Sequence, residues 1–429
     1  MLRTLQIKWW LFRGKREKAR KHPAEAIRYF EKALALDPQR VIALAWIGSC
    51  YSDLQQYSAA IEVLEQALQR APHYSEVHAY LADVYTKQDR HREAYDSIQR
   101  AFRMQPKLKE NPQWMYVLGY CSGHIGRWEE AAQTFEKITN LNAGHANAWH
   151  GLGWAYSHLN RDFDALTAYQ RAVEVAPHNS TAHFELGTIY FNLRKFHEAA
   201  EQFKICCTLD PQYPGFHYAL GQTLRELREF GAAAELISRA LQIGPKFAEV
   251  YYTLGLTYTE LGQHDEARNA FEEVLRLEPH STIDFCSQAA SYLRLGKRPE
   301  ARQAAEQALR LDPNSADAHA CLGCVLHESG TFGKAAEAYS KSLALDPNRF
   351  ETLAGLGDAY FELGRVKDAK EVLIRAQTVK SNDPNLHRLL GEVYLRLGDQ
   401  ISVLREYEIL KQQDSSLAED LEKRIKASA

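Results

Sequence analysis

Apolar residues return along the chain in a long register, at positions 4, 7 and 11 and again at 17, 20, 24, 27 and 28 of a unit 34 residues long. That spacing predicts two amphipathic helices separated by a turn near position 15, because residues three and four apart share one face of a helix. Prolines fix the register. Pro38, Pro72 and Pro106, then Pro177, Pro211, Pro245, Pro279, Pro313 and Pro347, all fall on position 32. Units then start at Ile7, Val41, Ser75, Pro112, Ala146, Ser180, Pro214, Ala248, Thr282, Ala316, Phe350 and Pro384, with one three-residue insertion, Lys109 to Asn111. Pro112, Pro214 and Pro384 take position 1, and Pro23 and Pro299 take positions 17 and 18. Each is a helix start, where proline's missing N–H costs nothing.

Two positions stay small. Position 8 is glycine in ten units and alanine in two (Ala82, Ala289), and position 20 is alanine in all but the last, which has Val403. Glycine inside a helix costs about 0.5 to 1 kcal/mol relative to alanine, so its recurrence predicts a close approach between the two helices of each unit.

The run Trp149-x2-Leu152-Gly153-x2-Tyr156, followed by Ala165, Tyr169 and Pro177, resembles the tetratricopeptide repeat, and the pattern extends over residues 7–417. The resemblance implies an all-α fold, a right-handed superhelix (α-solenoid) of about 12 helix-turn-helix repeats. First helices would line a concave groove. A capping helix is expected over residues 417–429, with Leu417, Leu421 and Ile425 as its apolar side. The end repeats depart from the pattern, with Arg13 and Glu17 in the first and Val403 and Ser415 in the twelfth. A terminal repeat lacks one stacking neighbour, and polar substitution suits it.

In this family positions 2, 5, 9, 12 and 13 face the groove. Position 5 supplies Tyr116, His150, Phe184, Tyr218 and Tyr252 and position 9 supplies Tyr120 and Trp154, a stripe of rings along repeats four to eight. Such rings anchor partners or pack between repeats. Repeats eight to eleven place Glu249, Glu260, Asp317, Glu328, Glu351, Asp358 and Glu362 on the same face, with Arg294 as the one basic residue at those positions. The resemblance therefore implies a non-enzymatic scaffold or adaptor that binds an extended protein segment, with apolar or aromatic anchors at the rings and basic residues at the acidic end. A carboxylate clamp for chain termini is not expected, since no three consecutive repeats carry its lysines, asparagines and arginine.

The formal net charge of −3 argues against general attraction to nucleic acid. Seven cysteines in 429 residues make no disulfide framework, and a reducing, cytoplasmic setting is expected. The basic segment 1–22 carries eight Lys and Arg against Glu17, a charge of +7, beside Trp9, Trp10 and Phe12. It suits an anionic membrane surface or an acidic protein, but the reading preferred is that Trp9, Trp10 and Phe12 pack onto Tyr29 and Phe30. Cys321-x2-Cys324-x2-His327, with Cys286 one repeat earlier, has metal-like spacing but lacks paired knuckles, and buried core cysteine is the better account. No phosphate loop, HExxH or GxSxG is present. No catalytic, metal or cofactor residues are expected.

Overall fold

The computed structural model describes the backbone of residues 2–428, and the side chains of all of these except 415, 427 and 428. Met1 and Ala429, which end the expected segments 1–22 and 417–429, lie outside the described residues. Within them the chain is all-α, with twelve helical hairpins and a closing helix, Ser415–Ser428. From the second repeat onward every first helix starts on the residue that the proline register predicts, and every second helix starts at position 17. The opening helix, Leu2–Ala19, begins five residues ahead of the frame. The insertion is absorbed in a short 3-10 turn, Pro106–Glu110.

The turn falls where the pattern put it. Position 15 has positive φ in every repeat, as glycine in six (Gly126, Gly262, Gly296, Gly330, Gly364, Gly398) and as Lys21, Gln55, Asp89, Asn160, Arg194 and Arg228 in the others. A left-handed residue reverses the chain in the least length, and only glycine adopts it without strain.

Inside each hairpin the position-24 side chain lies on position 8. A Cβ on Gly153 would stand 2.8 Å from the Tyr169 ring, so the bare backbone is what lets the ring lie down. Where position 8 is alanine the facing residue is not a ring but Ile98 or Ala305. In the twelfth repeat the closing helix takes over. Leu421, fully buried, comes within 2.6 Å of where a Cβ on Gly391 would be.

Contacts divide the chain into two compact units, residues 1–211 and 212–429. In the C-terminal unit the first helices of successive repeats pack on one another as well as on their own partners, and in the N-terminal unit those of repeats two to five do so. Histidines at position 4, where present, tie their repeat to the turn before it. His78, His183 and His319 reach the carbonyls of Pro72, Pro177 and Pro313 at 3.3, 3.0 and 3.0 Å, which gives these residues a structural task.

The start of the chain differs from expectation. Trp10 stacks on Tyr29 with centroids 5.7 Å apart, but Trp9 and Phe12 are 50% and 64% exposed. The cause is helical geometry. Ile7, Leu11 and Gly14 occupy the buried face of the opening helix, and residues 9 and 12 lie across the helix from them.

Candidate functional site

In the C-terminal unit the first helices of repeats eight to eleven (Ala248–Glu260, Thr282–Arg294, Ala316–Glu328 and Phe350–Glu362) border a trough of about 780 Å³. Its hollow follows from the sequence. Ring side chains at position 5 stop at Tyr252, and the next two repeats put Cys286 and Ala320 there, with Ala290 and Cys324 at position 9; all four line the floor. One edge is a row of position-2 residues, Glu249, Ile283, Asp317 and Glu351. Ile283 is 51% exposed, an apolar step among carboxylates. Glu260, Glu328 and Glu362 are also exposed, at position 13 of three of these helices, and Asp358 is half-buried.

Two cations moderate this acidity. Arg349, which the groove positions do not include, lines the trough and is paired with Asp317. His327 meets Asp358 at 3.4 Å, and the nearby carboxylate lifts its pKa above the usual imidazole value despite burial. Burial raises the Tyr252 phenol, partly offset by Arg294.

The core packing expected for these cysteines is not what the structure shows: Cys286 and Cys324 sit at positions 5 and 9, which face the trough, so that Cys286 and Cys321 are half-buried and Cys324 is exposed. Cys321 lies against Cys286, and its pKa is raised by that contact and then by burial. Desolvation by the trough walls raises the Cys324 thiol as well. Raised thiols are poor nucleophiles and poor metal ligands. His327 turns to Asp358 and not to Cys321 or Cys324. The close grouping of possible ligands among the described residues lies elsewhere, at Glu17, His22 and Glu25, where Glu17 already holds Arg20 and His22 at 3.2 and 3.4 Å.

The N-terminal unit presents rings instead. Tyr116, His150 and Phe184 are half-buried, each against the position-24 ring of its own repeat: Phe135 at 5.7 Å, Tyr169 at 5.6 Å and Phe203 at 5.5 Å. In the C-terminal unit Tyr252 repeats this on Phe271 at 5.7 Å, and the Tyr218 hydroxyl donates to Glu249 at 3.1 Å. Position 5 thus has a packing partner on one side and an open edge on the other.

Position 9 builds something the sequence reading missed. Tyr120 and Trp154 join His91, His124, Trp128 and His158 in one ledge of rings. His91 stacks on His124 at 4.0 Å and Trp128 on His158 at 3.8 Å. Burial and the neighbouring imidazoles His91 and His158 lower the pKa of His124, and burial lowers that of His150. The signal was legible in the repeat frame, since His124 and His158 both occupy position 13 and His91 and Trp128 position 17. An open hollow of about 380 Å³ adjoins the ledge, lined by Asp83, Lys87, Asp89, Tyr116 and Tyr120.

Among the described residues no helix is long and apolar enough to cross a membrane. Residues 214–424 match the family described as the cilia and flagella-associated protein 70 C-terminal domain. Two tetratricopeptide-repeat families match residues 53–114, and residues 13–75 with 151–214. The chain is 27% identical over 124 residues to anaphase-promoting complex subunit 3 of Schizosaccharomyces pombe, covering 29% of this chain and 18% of that protein. It is 25% identical over 141 residues to the general transcriptional corepressor trfA of Dictyostelium discoideum, covering 33% and 10%. The chain thus spans less than a fifth of these relatives' length. A solved structure, the APC/C heterotetramer Cut9–Hcn1, aligns over 98% of this chain and 96% of its own at 15% identity, with a TM-score of 0.45.

Proposed function

Because this chain contains tetratricopeptide repeats, we propose that it is a non-enzymatic scaffold or adaptor that holds an extended segment of a partner protein along its first helices. The observation that carries this reading is the trough of the C-terminal unit, a soft floor of Cys286, Ala290, Ala320 and Cys324 below exposed carboxylates. An apolar side chain would fill the floor and Lys or Arg on the same segment would meet Glu249 and Glu351. Buried apolar area supplies affinity, while the carboxylates speed encounter and fix orientation. The ring ledge of the N-terminal unit offers a second anchor, for an apolar or aromatic side chain. Tyr116, Tyr120, His150, Trp154, Phe184, Tyr218 and Tyr252 then act as partner-facing edges of packed rings, and Glu260, Asp317, Glu328, Asp358 and Glu362 complete the acidic surface.

The seven cysteines are all unpaired, which supports a reducing, cytoplasmic setting. The relatives' descriptions, a subunit of a complex and a corepressor, support a role in assembly. Affinity capture on the wild-type chain and on a Glu249→Lys/Glu351→Lys variant tests the reading. A partner retained by the first and lost by the second supports it, and equal capture contradicts it.

A further inference from the structure

The opening helix carries an apolar line that no other described helix covers. Leu2, Leu5, Trp9 and Phe12 are 80%, 59%, 50% and 64% exposed, and their spacing of three, four and three residues is the seam of a two-helix coiled coil. Ile7 and Gly14 face the opposite way, into the hairpin with the helix Pro23–Leu36. The seam therefore points away from the first repeat's own core.

The repeat frame says what such a face is for. Trp9 and Phe12 occupy positions 3 and 6. At position 3 of later repeats Ala43 packs among Phe30 and Ala33, and Trp114 among Ile98 and Phe102, the second-helix residues of the preceding repeat. At position 6 Trp46 lies against Phe30, 5.3 Å between centroids. These two positions elsewhere receive the preceding hairpin. In the first repeat they hold large apolar residues and meet solvent.

Charge selects among possible occupants. Lys8 and Lys15 line one flank of the seam, Gln6 and half-buried Arg13 line the other, and Arg16 continues it; Lys8, Lys15 and Arg16 are exposed, with the Lys15 ammonium 4.2 Å from the Trp46 ring. A second copy of the helix would set Lys8 against Lys15 when antiparallel and against Arg13 when parallel, like charges in either orientation, at a cost in stability. A membrane would take a broader apolar face than a single line bordered by Thr4 and Gln6. We propose that the opening helix docks an amphipathic helix of a partner protein, one with an apolar seam and Glu or Asp on both flanks. This surface is separate from the inner faces, and it stands whether or not they bind.

The test uses the full chain and two labelled synthetic peptides as long as the opening helix, with leucine along the seam and either Glu or Lys at the flanking positions, followed by fluorescence anisotropy. The Glu-flanked peptide should bind, more tightly as salt falls, and the Lys-flanked one at least about tenfold more weakly. Trp9→Glu/Phe12→Asp should reduce binding of the Glu-flanked peptide by about tenfold or more. Lys8→Glu/Lys15→Glu, which also gives up the contact of Lys15 with the Trp46 ring, should reverse the preference between peptides. Equal binding of the two peptides, or binding of the Glu-flanked one that Trp9→Glu/Phe12→Asp leaves unchanged, would overturn the proposal. So would failure of the Glu-flanked peptide to bind, whether the chain instead floats with phosphatidylcholine–phosphatidylserine vesicles, forms a dimer that Trp9→Glu/Phe12→Asp dissolves, or does neither.

Discussion

One 34-residue frame builds two different inner faces. The N-terminal unit fills positions 5 and 9 with Tyr116, Tyr120, His150 and Trp154 and turns at position 15 mostly on residues other than glycine. In repeats nine and ten of the C-terminal unit the same positions shrink to Cys286, Ala290, Ala320 and Cys324, and all turns of that unit but Arg228 are glycine. The frame fixes how hairpins stack; the residues it leaves free decide what each face can hold. Rings give an adhesive, weakly charged ledge. Small residues give depth, and carboxylates at the edge give that depth a sign.

The comparison breaks first where packing is tightest. Gly153→Leu would drive a side chain into the Tyr169 ring, and a loss of about 3 kcal/mol in urea unfolding is expected. Next comes the contrast in binding. Ala320→Trp fills the trough and should weaken a trough-bound segment by about 2 kcal/mol, roughly 30-fold, in calorimetric titration, with the melting temperature little changed. Trp154→Ala, which opens the ledge instead, should leave that segment's trough affinity intact.

The turns sharpen the contrast further. Arg194→Gly relieves a left-handed residue and should stabilise the N-terminal unit by about 0.5 to 1 kcal/mol, while Gly330→Ala should cost the C-terminal unit about 1 kcal/mol. No atom stands near the new Cβ at Gly330, so the loss would report backbone strain alone. Both are read from chemical denaturation.

Protonation gives the smallest effect, with opposite signs in the two units. His124 and His150 have pKa values lowered from 6.5, so the folded state binds fewer protons than the unfolded one. Their contribution is present above pH 6.5 and is lost as pH falls through the lowered values. His327 is raised above 6.5 by Asp358. Its contribution is full below pH 6.5 and is lost as pH rises through the raised value. Ring-proton titration by NMR should place His124 and His150 below 6.5 and His327 above it.

Much of this was legible in the chain. Prolines at position 32 located eleven first helices to the residue, because proline is tolerated only at helix boundaries. Glycine at position 8 announced the close helix contact seen between Gly153 and Tyr169. Site chemistry was less visible. Arg349 sits between repeats and reaches into the trough from a turn, outside any helical face. The ledge joins position 13 of one repeat to position 17 of another, a relation set by stacking between hairpins and not by periodicity within one. The Trp9 and Phe12 packing was misjudged because apolar composition does not say which side of a helix is covered.

The central claim is that partners lie along first helices. A photo-crosslinking residue placed at Ala320, on the trough floor, and separately at Lys341, on the second helix of the same repeat, tests it directly. The account predicts that captured partner crosslinks to position 320 and not to position 341; crosslinks confined to position 341 would contradict it.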